Sequence, residues 1–173
     1  LTYTLALMAY EIHFVSPTAG FVCGGDGIGS GYIDATTNGG SNWTNVTSTG
    51  DNYFYTDLTV APNGKAFTVG YGGNVQVSTD EGSSWSSLNL NTSKFLTSVY
   101  FYDNNLGFIG TADSTILKTT DGGNTWTTIN TGLVGWFVRS FRFVNPSVGY
   151  MGLDNNGGFS RIYKTTNGGL TWY

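Results

Sequence analysis

Apolar and polar residues alternate at four places in the chain: Ile12 and Phe14, Leu58 and Val60, Val99 and Phe101, and Phe141 and Phe143. A period of two marks a strand. The three prolines, Pro17, Pro62 and Pro146, fall just after such strands, where a missing amide donor disturbs a ladder least. Eight residues beyond the first apolar mark stand Gly20, Ala66, Gly107 and Gly149, each followed by an aromatic residue, Phe21, Phe67, Phe108 and Tyr150, and these open a second strand. A loop rich in Gly, Asp and Asn leads to a third strand around Ile33, Val75 and Val77, Ile116 and Leu117, or Ile162 and Tyr163. A short fourth strand contains Val46, Leu88 or Ile129.

Between the third and fourth strands the motif Thr/Ser-x-Asp/Asn-x-Gly-x-x-Trp occurs four times: Thr36 to Trp43, Ser78 to Trp85, Thr119 to Trp126 and Thr165 to Trp172. Its tryptophans lie 42, 41 and 46 residues apart, which marks a repeat architecture. Four antiparallel strands in each period of about 42 residues describe a propeller blade. The expected fold is therefore an all-β propeller of four blades, over repeats of approximately 6–46, 52–88, 93–129 and 135–173. The chain is either one complete four-blade ring or a segment of a six- to eight-blade array. The phase of the repeat gives Leu1–Leu5 the role of an outer strand that closes the last blade and hides a sheet edge.

The box has a physical rationale that needs no ligand. Asp80 and Asp121, or the amides of Asn38 and Asn167, accept hydrogen bonds from the turn that follows. The glycine supplies a positive φ, and Trp43, Trp85, Trp126 and Trp172 cover the hairpin. Carboxylates missing from two of four boxes argue against a repeated metal site. The loop of Asp154, Asn156 and Gly158 lacks the glutamate that would complete a calcium loop. No metal and no cofactor is expected.

"TTDGGNTW" at Thr119 to Trp126 and "STDEGSSW" at Ser78 to Trp85 resemble the Asp-box, or sialidase-type BNR, repeat of β-propellers. The wording of "KTTDGGNTWTTI" is similar to propellers of the photosystem II assembly-factor type and to xyloglucanase-like glycosidases. The resemblance covers the whole chain and departs from the pattern at Asn38 and Asn167. It implies a propeller whose box turns lie opposite the usual active face. It leaves function open, because this repeat serves hydrolases, receptors, assembly factors and lectin-like modules.

Composition narrows the classes. Only 10% of residues are charged and 16% are aromatic, a surface of hydroxyls and amides that suits an extracellular or cell-surface setting. Seven basic against eleven acidic residues exclude a phosphate-binding basic patch and hence nucleic acid as a partner. No apolar run reaches the roughly 18 residues of a membrane span, so membrane insertion is not expected. The chain begins without Met and reads as a mature or excised segment, or part of a larger assembly. The single cysteine, Cys23, reads as a buried thiol.

Two polar rows lie between the apolar marks of the innermost strands: Glu11, Asp57, Ser98 and Ser140, then His13, Thr59, Tyr100 and Arg142. In a propeller these positions border the central channel, so Glu11, His13, Asp57, Tyr100 and Arg142 are candidate ligand-binding residues, with channel solvation as the plain alternative. Trp136, the sole tryptophan outside the boxes, occupies a connection between blades with Leu7, Tyr53 and Lys94 at equivalent positions, and is a candidate for stacking on a glycan or a protein partner. The neighbouring row of Met8, Phe54, Phe95 and Phe137 is expected in the core. Repeats one and four carry four extra residues near the loop between second and third strands, which reads as a binding rim.

The three arginines, Arg139, Arg142 and Arg161, all fall in the last repeat, and alternation places Arg139 and Arg142 on opposite faces. A sialidase, which needs an arginine cluster from several blades, is excluded. The leading expectation is a noncatalytic secreted or surface-displayed scaffold that binds protein or glycan. A polysaccharide hydrolase fragment using aspartates and an assembly-factor-like chaperone are the alternatives.

Overall fold

The computed structural model describes residues 8–26, 30–47 and 54–173, and the chain divides into two compact units, Leu1–Ser93 and Lys94–Tyr173. The first unit contains two antiparallel sheets, each a meander of four strands. They are β1 (Met8–Phe14), β2 (Gly20–Gly25), β3 (Gly31–Thr36) and β4 (Thr44–Asn45), then β5 (Tyr55–Val60), β6 (Ala66–Gly70), β7 (Val75–Ser78) and β8 (Ser86–Ser87). The second unit contains β9 (Leu96–Phe101), β10 (Gly107–Thr111), β11 (Thr115–Thr119) and β12 (Thr127–Asn130), then the three-stranded sheet of β13 (Phe137–Phe143), β14 (Gly149–Asp154) and β15 (Ser160–Thr165). Among the described residues there is no α-helix, and no helix long and apolar enough to cross a membrane.

Each sheet is one repeat of the sequence. The fourth strands are short because they start directly after the box tryptophan; the amides of Val46 and Leu88 extend the ladder to Ile33 and Val75 at 2.8 and 2.9 Å. In the last sheet Tyr173 exchanges two backbone hydrogen bonds with Lys164, at 2.8 and 3.0 Å, where β4, β8 and β12 begin in the others. Leu1–Leu5, the expected closing strand, lie outside the described residues.

The residues that open the second strands are fixed by what stands opposite them. Gly20, Gly107 and Gly149 pair with Phe14, Phe101 and Phe143, and Ala66 pairs with the smaller Val60. A Cβ on Gly107 would come within 2.6 Å of the Phe101 ring, and one on Gly149 within 2.7 Å of the Phe143 ring. The same rings meet the box tryptophans edge to face: Phe14 with Trp43, Phe101 with Trp126 and Phe143 with Trp172, at centroid separations of 6.0 to 6.1 Å. In the second repeat, where Val60 offers no ring, Trp85 packs instead on Phe21 of the first sheet at 5.9 Å.

Every first strand carries a β-bulge at the same place, on Tyr10, Thr56, Thr97 and Arg139. The extra residue moves the inward phase by one position. The buried row is therefore Tyr55, Leu96 and Val138, each 0% exposed, and not the expected row of Met8, Phe54, Phe95 and Phe137. Met8 is exposed, and the three phenylalanines of that row are half-buried. The bulge also corrects the arginines: Arg139, Ser140 and Arg142 are all exposed along β13 while Val138, Phe141 and Phe143 are buried, so the two arginines share the exposed side.

The four extra residues of repeats one and four do not lengthen the loop. In all four sheets five residues separate the last facing pair of the second and third strands, but β2 with β3 and β14 with β15 make six facing pairs against four in each of the other two hairpins. The added residues are two more rungs on each hairpin, so the expected longer binding rim is a longer hairpin.

Gly107→Ala is expected to cost about 1–3 kcal/mol through overpacking. Adding Phe101→Val should return part of that loss, so that in urea denaturation the double variant is more stable than the sum of the two single losses implies.

Candidate functional site

The four boxes share one hydrogen-bond pattern. The hydroxyls of Thr36, Ser78, Thr119 and Thr165 are buried; each donates to Oδ1 of Asn38, Asp80, Asp121 or Asn167 at 2.8 to 3.0 Å. Each hydroxyl also accepts the amide of Gly40, Gly82, Gly123 or Gly169 at 2.8 to 3.0 Å. The same Oδ1 accepts the amide of Asn42, Ser84, Thr125 or Thr171. Acid and amide differ in one bond: the Ser84 and Thr125 hydroxyls donate to Oδ2 of Asp80 and Asp121, whereas Asn167 Nδ2 donates to the Thr171 hydroxyl at 2.9 Å. These donors, the Thr125 hydroxyl first, lower the Asp121 pKa to about 2, and those of Ser84 lower that of Asp80. In the last two boxes the indole donates to the backbone carbonyls of Gly123 and Gly169 at 3.1 Å.

One box breaks the pattern. Glu81 stands where the other three have Gly39, Gly122 and Gly168, and it adopts the same left-handed backbone, φ 55° against 69° to 71°. Its neighbours form a cleft of about 500 Å³ lined by His13, Phe14, Ser16, Pro62, Asn63 and Glu81. The alignment of the boxes carried that signal, but sequence reasoning passed over it.

The polar rows fall in common register: Glu11 and Asp57 face Cys23 and Val69, while His13, Tyr100 and Arg142 face Phe21, Phe108 and Tyr150. In the first unit burial raises the Cys23 thiol to about 12, with the charges of Asp57 and Glu11 adding to the effect, so the thiol is unionised at neutral pH. Asp57 accepts the amide of Leu58 at 2.9 Å. In the second unit Tyr100 stacks on Phe143 at 6.3 Å, its oxygen accepts the Phe143 amide at 3.3 Å, and the Arg142 guanidinium lies over its ring at 5.5 Å. Arg142 also donates to the carbonyl of Phe141 at 2.8 Å. Tyr100 is thus engaged in sheet packing, and Arg142 rests on it.

Trp136 is half-buried, with its carbonyl held by the Ser114 hydroxyl at 2.6 Å. The Arg161 guanidinium lies over its ring at 4.5 Å, and that of Arg139 over Phe137 at 4.8 Å. Arg139 donates to both carboxylate oxygens of Asp154, at 2.7 and 3.3 Å, and to Asn156 Oδ1 at 2.8 Å. The bonds from Arg139 to Asp154 lower the Asp154 pKa, and with the bond to Asn156 they commit the side-chain oxygens of this loop to a guanidinium. In the third repeat Lys94, the counterpart of Trp136, pairs with Asp113 and donates to Thr115 at 3.1 Å. Burial acts to raise the Asp113 carboxyl, but Lys94, Thr111 and Thr115 outweigh it and hold it well below the usual range. The two arginine–aromatic stacks were not read from the sequence; the one available signal was that all three arginines share the last repeat. Among the described residues no three His, Cys, Asp or Glu side chains are grouped to hold a metal ion.

Glu81→Gly should raise stability by about 1 kcal/mol by removing a left-handed non-glycine residue, read as a higher midpoint in urea. Carboxylates with lowered folded-state pKa stabilise the fold above about pH 4 and lose that effect as pH falls toward about 2. Asp80→Asn with Asp121→Asn should therefore show a smaller loss of Tm between pH 7 and pH 3 than the unaltered chain.

Residues 83–173, just over half of the chain, match the family model described as photosynthesis system II assembly factor YCF48. No curated protein matches the sequence. A structure of YCF48 bound to D1 peptide aligns at TM-score 0.63 and 14% identity, over 96% of this chain and 80% of that one. YCF48 from Cyanidioschyzon merolae aligns at TM-score 0.68 and 17% identity, over 99% and 57%. The GH74 xyloglucanase from Xanthomonas campestris aligns at 0.70 and 13%, over 90% of this chain and 28% of the enzyme, so the chain spans little more than half of the second structure and about a quarter of the third. At such identities these likenesses establish the β-propeller fold. With its four Asp-box repeats and the family match over its second half, the chain belongs to the photosynthesis system II assembly factor YCF48 family.

Proposed function

We propose that the chain is a noncatalytic binding scaffold, secreted or displayed at the cell surface, that recognises an extended segment of a client protein carrying acidic groups. The observation that carries this reading is the stack of Arg161 on Trp136 in the last repeat. Arg161 over Trp136 presents a planar donor group on an aromatic support, the arrangement that suits carboxylate recognition, while Arg139 over Phe137 is already committed to Asp154 and Asn156. Arg161 has no carboxylate partner among the described residues; its guanidinium donates to the Tyr163 oxygen at 3.4 Å. Membership of an assembly-factor family, and a relative captured with a peptide, favour a protein client over a glycan. They also support a second reading, that the client belongs to a membrane complex under assembly. The low charge content supports the extracellular setting.

Immobilised acidic peptides and plant polysaccharides, offered in parallel to the chain, test the proposal. Peptide capture should fall about tenfold on Trp136→Ala or Arg161→Ala, a change of about 1.4 kcal/mol, and should be unaffected by Asp57→Asn. Polysaccharide cleavage that Asp57→Asn abolishes would replace this reading with a hydrolase, and glycan capture without peptide capture would replace the client. Copurification with a membrane complex would favour the second reading.

A further inference from the structure

Within each unit the box of the second sheet packs on the sheet before it in the same way. A Cβ on Gly82 would run into the Phe21 ring, and one on Gly169 into the Phe108 ring. The third strand of that preceding sheet runs alongside, with Ala35 opposite Phe21 in the first unit and Lys118 opposite Phe108 in the second. Ala35 and Lys118 therefore hold one position of the repeat, and Glu81 and Gly168 hold another.

The two units fill these positions in opposite ways. In the second, Lys118 reaches the box: its Nζ lies 3.6 Å from where a Cβ on Gly168 would stand, and burial lowers its pKa. The fold there supplies its own ammonium. In the first, alanine leaves the corresponding place open, a cavity of about 280 Å³ whose lining includes Phe21, Ala35, Thr44, Val46, Glu81 and Ser83. All six belong to the first unit, between its two sheets. Among the described residues no ion pair or side-chain hydrogen bond engages the Glu81 carboxylate.

We infer that this cavity is a binding site for an alkylammonium group, presented by a lysine side chain of a partner protein or by a free amine. Phe21 and Val46 offer apolar wall to the methylene stem, Glu81 supplies the counter-charge, and the hydroxyls of Thr44 and Ser83 can accept N–H groups. Glu81 keeps a left-handed backbone that glycine would adopt at lower cost, and it thereby sets a carboxylate beside the place where the other unit has an ammonium. The site takes the charge opposite to that recognised at Arg161 and does not depend on that recognition.

Titration of the isotope-labelled chain with a capped Gly-Lys-Gly peptide, its norleucine counterpart and butylamine, followed through backbone amide shifts, tests the site. The lysine peptide should move the amides of Ala35, Thr44, Gly82 and Ser83, and the norleucine peptide should bind more weakly. Glu81→Gln, which removes the charge and keeps the side-chain length, should weaken lysine binding about fivefold. Ala35→Lys should abolish it, because that variant fills the cavity as the second unit does, and should raise the urea midpoint by an amount that adding Glu81→Gln removes. Tighter binding of the peptide than of butylamine assigns the group to a protein lysine, and the reverse assigns it to a free amine. Equal binding of the lysine and norleucine peptides, unchanged affinity in Glu81→Gln, or shifts confined to residues away from the cavity would overturn the site.

Discussion

One hydroxyl group in each repeat holds the geometry on which the rest of the sheet depends. The buried oxygens of Thr36, Ser78, Thr119 and Thr165 each donate to an Asn or Asp and accept a glycine amide, so a single atom ties the end of the third strand to both sides of the turn. That bond sets where the tryptophan emerges, and the tryptophan in turn packs on a ring from the first strand or, in the second repeat, from the neighbouring sheet. A chain with only 10% charged residues fixes its turns with such neutral and charge-assisted hydrogen bonds, and ion pairs such as Lys94–Asp113 and Arg139–Asp154 lie outside the boxes.

What was legible in the sequence was whatever repeats with constant spacing. The strands, the box turns and the register of Glu11, Asp57, Ser98 and Ser140 all follow from counting residues between equivalent marks. The phase upstream of those marks was not legible, because a bulge adds a residue without leaving a compositional sign. Tyr10, Thr56, Thr97 and Arg139 have nothing in common chemically, yet each moves the inward face by one position. Alternation alone therefore put Phe137 where Val138 belongs and separated Arg139 from Arg142. The stacking of Arg161 on Trp136 was hidden for another reason: it joins the connection before β13 to a residue of β15, and the two added rungs of the β14–β15 hairpin have the same composition as a longer loop.

The candidate binding features are all departures from the repeat. Trp136 stands where the third repeat has Lys94, and Glu81 where the other boxes have glycine. In a scaffold built from equivalent sheets, a side chain that the fold does not require is free to serve a partner; in the last repeat Arg161 is such a side chain, whereas Arg139 and Arg142 are bonded within their own unit.

The mixed use of acid and amide in the boxes bears on how the protein ages. Asn38 and Asn167 are each followed by glycine, the sequence in which an asparagine side chain is most readily hydrolysed. The ordinary aspartate produced at Asn167 would meet a Thr171 hydroxyl able to turn round and donate, as Thr125 already does to Asp121. Damage that alters charge elsewhere in a protein would here convert one working version of the turn into the other.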